Sequence, residues 1–103
     1  MKYIMKVRIP SETGNERIKD PQFGMKMQEA LKEVKAEAAY FTTLCGDRGG
    51  YFVVNLTDAS QMPATAEPFF LWLGAEVDFL PVMTLEDLGK AGPSIEAVVK
   101  KWG

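Results

Sequence analysis

The residues of this chain that could do chemistry begin with Lys6 and Arg8. They stand two apart in a run that alternates apolar and polar side chains, so on extended backbone they point the same way. Two such cations could hold a carboxylate or a phosphate. Tyr40 and Tyr51 could donate phenolic hydrogen bonds or stack on an aromatic ligand, and Thr42 and Asn55 add a hydroxyl and an amide. Asp78 is the candidate general base if it is buried, because desolvation raises a carboxylate's pKa; no second carboxylate stands at a motif-specific spacing. Each has a plainer role. Lys6 and Arg8 could pair with Glu76 and Asp78, and the tyrosines could line a subunit interface.

Two other features yield less. Cys45 has no histidine to activate it and reads as a buried structural thiol. The run Gly46-Asp47-Arg48-Gly49-Gly50 lacks the Gly-Lys-Ser/Thr ending of a phosphate loop and precedes a strand, so it reads as a turn.

Composition excludes several chemistries. There is no histidine, which removes imidazole bases, imidazole zinc sites and histidine-ligated haem. One cysteine allows no intramolecular disulfide and no multi-cysteine metal site. No metal and no cofactor are therefore expected. A net charge of −2 gives no basic surface for nucleic acid. Charges interrupt the N-terminal apolar residues as they would not in a signal peptide, and the apolar run Pro68 to Ala75 is far short of the ~20 residues of a membrane span. A cytoplasmic protein is expected, and 103 residues fit one domain, 1–103.

Lys2 to Ile9 predicts a half-buried strand with Tyr3, Met5, Val7 and Ile9 on one side, ended by Pro10. Ser11 to Lys19 is polar, contains Gly14 and Asn15, and is expected to be a loop. Asp20-Pro21 signals a helix start, followed by the stripe Phe23, Met27, Ala30, Leu31, Val34 and Ala38; Lys26–Glu29 and Glu29–Lys32 could pair on its outer surface. Ala39 to Leu56 predicts a β-hairpin. A Gly46–Gly49 loop sets Leu44 opposite Tyr51, Thr42 opposite Val53 and Tyr40 opposite Asn55. Phe41, Thr43, Cys45, Phe52, Val54 and Leu56 then face the core. Asp58 to Ser60 caps a second helix, kinked at Pro68 and closed by Gly74. Ala75 to Val82 is the fourth strand, Thr84 to Asp87 resembles a capping box, and Ile95, Val98, Val99 and Trp102 form a last apolar stripe. Trp72 and Trp102 read as packing residues.

The element order is β-α-β-β-α-β plus a C-terminal helix: a ferredoxin-like α+β fold with a four-stranded antiparallel sheet, its first and third strands central. Two helices cover one sheet face. The other carries Ile4, Lys6 and Arg8, Tyr40, Thr42 and Leu44, Tyr51, Val53 and Asn55, and Glu76, Asp78, Leu80 and Val82, too apolar and aromatic for a plain wet surface yet too polar for a dry core. A homodimer packed through that open face would cover it and could enclose a cavity.

The N-terminal Met-Lys-Tyr-Ile-Met strand, Ala66-Glu67-Pro68-Phe69-Phe70 and the segment Glu76 to Leu88 resemble small proteins of the dimeric α+β barrel superfamily. The likeness is strongest to an uncharacterised domain-of-unknown-function family; it covers most of the chain in element order and is strong from about Ala66 to Ala91. It implies the fold and a dimer. The superfamily includes cofactor-independent monooxygenases, muconolactone isomerase-like enzymes, YCII-like proteins and haem-binding enzymes, so it implies no single activity. The His-Asp pair of YCII-like proteins has no counterpart here, and no catalytic motif transfers.

Three functions remain in view. The first is a dimer binding a small anionic or aromatic molecule over the open sheet face, through Lys6, Arg8, Tyr40, Thr42, Tyr51 and Asn55. The second is a cofactor-independent oxygenase or isomerase using Asp78 and a tyrosine. The third is an interaction module whose open face is filled by its partner.

Overall fold

A computed structural model describes all residues, 1–103. β1 (Lys2–Ile9) alternates strictly: Tyr3, Met5, Val7 and Ile9 are buried, while Lys2, Ile4, Lys6 and Arg8 are half-exposed on the opposite face. Pro10 ends it, and α1 (Ser11–Ile18) and α2 (Phe23–Glu33) follow. β2 (Ala38–Leu44) and β3 (Asp47–Asn55) form the hairpin. A 3-10 turn (Ala59–Gln61) leads into α3 (Met62–Leu73), then β4 (Glu76–Pro81), α4 (Leu85–Lys90) and α5 (Gly92–Trp102).

The four strands are antiparallel in the order β2-β3-β1-β4, with β1 and β3 central. This is the ferredoxin-like α+β arrangement. Its core lies between one sheet face and α2 and α3. Met5, Val7, Phe52 and Val54 from the sheet meet Met27 and Ala30 of α2 and Phe69 and Leu73 of α3. The Phe52 and Phe69 rings stand 5.3 Å apart between centroids. Burying each such side chain contributes about 1.5–3 kcal/mol, so this row dominates the stability of the sandwich.

Several expectations need correction. Ser11 to Ile18 is a helix, because Gly14 lets α1 lie directly on Ile9 and the Arg48 side chain; a Cβ there would stand 3.0 Å from Arg48 Nη1. Asp20 does cap backbone, its Oδ1 accepting from Gln22 N, but α2 begins only at Phe23 and ends before Ala38, which lies in β2. Lys26 reaches back to Asp20 at 3.0 Å and forms no pair with Glu29. The distant carboxylate is in reach because the turn before α2 folds it back.

The hairpin turns earlier than the glycine run suggested. Cys45 and Gly46 both have positive φ, 51° and 84°, as a two-residue turn of the primed kind requires. Asp47 to Gly50 therefore belong to β3, and Tyr40 faces Tyr51, Thr42 faces Gly49 and Leu44 faces Asp47. The register differs from the expected one by four residues. An even shift leaves every side chain on its assigned face. Depth changed all the same: Cys45 and Thr43 are exposed rather than buried, and Leu44 is buried over Gly49. Phe41 is on the helix side but 60% exposed.

Two of the caps behave as the sequence implied: Gly74 closes α3 in the left-handed conformation, and Thr84 and Asp87 form a capping box at α4. Asp58 and Gln61 form a capping box too, but on the 3-10 turn, and α3 itself starts at Met62 without a side-chain cap. Trp72 packs on Phe23 with ring centroids 5.3 Å apart, whereas Trp102 is 78% exposed. No residue of α4 or α5 is buried. The radius of gyration is 17.3 Å and the longest extent 58 Å, against about 13 Å of gyration radius for a compact chain of this length. The two C-terminal helices thus form an arm extending from the body.

Candidate functional site

The register sorts the open sheet face into rows that cross all four strands. One row reads Tyr40, Tyr51, Lys6, Asp78; the next reads Thr42, Gly49, Arg8, Glu76. Below them runs the apolar row Ala38, Val53, Ile4, Leu80. Five of the six sequence-selected binding residues, Lys6, Arg8, Tyr40, Thr42 and Tyr51, therefore fall in two adjacent rows. Asn55 is set apart. It lies opposite Lys2 at the other end of β1, and its Nδ2 donates to Glu37.

The charges in these rows are not equivalent. Arg8 is held by Asp47 and by Glu76, the latter at 2.7 Å from Nη2 and 3.0 Å from Nε. The Glu76 hydrogen bond and then the Asp47 contacts raise the Arg8 pKa further above its ordinary value, so the guanidinium is charged but already partnered. Asp47 is held below the usual carboxylate range, first by the Ser11 hydroxyl and then by Arg8. Glu37 is lowered likewise by Lys2 and Asn55. Lys6 forms no ion pair, although Asp78 is its register partner. Asp78 is exposed in the single chain, so its own chain does not supply the burial a general base would need.

Lys6, Arg8, Cys45, Glu76 and Asp78 line a hollow of about 240 Å³ on this face. It can accept hydrogen bonds and donate them, and Lys6 is its one cation without a carboxylate partner. Elsewhere on the same face, Tyr40 and Leu80 are 66% and 59% exposed, though neither lines the hollow itself. No group of three or more Cys, Asp or Glu side chains is placed to hold a metal ion.

A second hollow, of about 210 Å³, lies on the opposite face, between the sheet and α2. Of the binding residues selected from the sequence, only Thr42 lines it. The available signal was the pair Gly49-Gly50, read as part of a turn from the sequence but lying in β3, where glycine marks close backbone approach.

The sheet order, the helix-covered face and the open face place the chain among ferredoxin-like α+β proteins. Within that class, residues 1–95 match the family described as a domain of unknown function, DUF3303, and the chain belongs to that family. No match to a curated protein was found. No helix is long and apolar enough to cross a membrane.

Proposed function

We propose that the protein works as a homodimer closed over its open sheet face, binding a small aromatic or anionic molecule against Lys6, Tyr51 and Tyr40. The observation that carries this reading is the row Tyr40–Tyr51–Lys6–Asp78, in which an unpaired ammonium neighbours Tyr51, and Tyr40 continues the row one strand further. An aromatic anion would stack on the phenol rings and place its charge on Lys6. Arg8, already engaged with two carboxylates, shapes the wall rather than binding the anion.

Dimerisation is supported by the apolar character of the same face. Ile4, Val53 and Leu80 form a continuous band beside the tyrosines, and side chains of this kind are usually covered by a partner. A two-fold interface would set this band against its own copy. The location this reading assumes is the cytoplasm, where an exposed thiol such as Cys45 stays reduced.

Light scattering across a concentration series tests the dimer, with Leu80→Glu as the interface variant. A dimer that Leu80→Glu converts to monomer is expected; a strict monomer at high micromolar concentration would remove the proposal. Calorimetric titration with benzoate and related aromatic acids tests the site, with Lys6→Gln weakening the acids. Equal affinity in that variant would assign the binding elsewhere.

A further inference from the structure

We infer that the hollow between the sheet and α2 is a second ligand site, for a small carboxylic acid with an apolar body. It lies on the face opposite the proposed dimer surface and does not depend on that reading. Its floor is built by the hairpin register. On the helix-covered face Phe41, Gly50 and Val7 form one row, and Thr43, Arg48 and Ile9 the next. Gly50 contributes no side chain to the middle of its row, so a gap opens between Phe41 and Val7. A Cβ at Gly50 would stand 2.5 Å from the Tyr40 carbonyl oxygen, 3.1 Å from Phe52 Cε1 and 3.4 Å from Phe41 Cδ1, so the close approach of the β2 backbone keeps this position without a side chain. Phe23 and Met27 of α2 line it from the helix side.

The walls are apolar and the mouth carries one charge. Val7, Ile9, Phe23, Met27, Phe41 and Phe52 line the hollow, and Arg48 is its only charged residue. A volume of about 210 Å³ holds about seven water-sized groups, which is the bulk of a phenyl ring with one or two methylenes. Arg48 donates from Nη1 to the neutral Asn15 Oδ1 at 3.0 Å and forms no ion pair. The nearest acid in sequence, Asp47, is taken up by Arg8 and Ser11. Most of the five guanidinium donors of Arg48 thus remain free for a carboxylate, which matches their planar fork. Phe41, largely exposed without an occupant, would be covered by the apolar body.

Charge and shape together favour an acid over a neutral or cationic molecule of the same size. 3-Phenylpropionate, 3-phenylpropanol and 3-phenylpropylamine share one apolar body and differ in charge. Calorimetric titration of the full chain is expected to give saturable binding of the acid, with the alcohol weaker by about tenfold or more, as loss of a charge-assisted hydrogen bond predicts. The amine is expected not to bind. Arg48→Gln keeps a partner for Asn15 and should abolish the preference for acid over alcohol, while Arg48→Lys retains part of it. Chemical-shift changes on adding the acid should fall on Met27 and Phe41. Equal binding of acid and alcohol, an Arg48→Gln variant that still prefers the acid, or no saturable binding of any of the three would overturn the inference. Shifts confined to Tyr40 and Tyr51 would also overturn it, and would assign the acid to the open face instead.

Discussion

Gly49 offers the most direct test of how the two central strands fit together. It lies in β3 between Arg8 of β1 and Thr42 of β2, fully buried under the Leu44 side chain. Its backbone needs no left-handed conformation; what it lacks is room. A Cβ at this position would overlap the Val7 carbonyl oxygen and approach Leu44 Cδ1 to 2.7 Å and Cγ to 3.2 Å. Gly49→Ala can be accommodated only by moving β1 away from β3 or by displacing Leu44 from its buried place. Overpacking of this kind costs about 1–3 kcal/mol, and exposing a leucine costs about 1.5–3 kcal/mol. A loss of about 2–3 kcal/mol follows. The unfolding entropy of a chain this long converts each kcal/mol into roughly 4–5 °C. Thermal unfolding followed by circular dichroism should therefore show a Tm lowered by about 10 °C. The double variant Gly49→Ala/Leu44→Ala should show sub-additive losses, because one of the two crowded neighbours is gone. A Gly49→Ala protein melting within about 2 °C of the parent would refute the strand packing described here.

Further outcomes follow from other positions. Gly24 sits in α2 with open space around it, so Gly24→Ala should gain the helix-propensity difference of about 0.5–1 kcal/mol and raise Tm by a few degrees. Phe69 is completely buried against Phe52, and Phe69→Ala should cost about 3–5 kcal/mol, measured by urea denaturation. Asp20, Glu37, Asp47, Asp58 and Asp87 all have lowered pKa values in the folded chain, so the stability they contribute is present above the ordinary carboxylate range of about 4 and is lost as pH falls through their folded values. Tm should change little between about pH 7 and 5 and decline below about 4. Asp47→Asn should make that decline shallower, and an unchanged acid limb would show that the Ser11 and Arg8 contacts carry no pH-dependent stability.

Much of this protein is legible in its sequence, because local periodicity and short capping motifs act over distances that a sequence displays. The alternation of Lys2 to Ile9 determined both the strand and its buried side, and Asp58, Gly74 and Thr84 marked element ends through caps that involve only a few neighbouring residues. The selected site residues share one sheet face because strand parity alone assigns faces, and a four-residue register shift leaves parity intact. What tertiary structure alone decided were relations between distant segments. The choice of Cys45-Gly46 as the turn brought Tyr51, not Asn55, opposite Tyr40. The partners of Arg8 come from two other strands, and only their approach sets a partnered Arg8 beside a Lys6 that has no ion pair. Gly50 reads as part of a turn in the sequence, yet in the sheet it is the gap between Val7 and Phe41. An empty space has no residue to announce it; it exists only when three strands and a helix are brought together around a missing side chain.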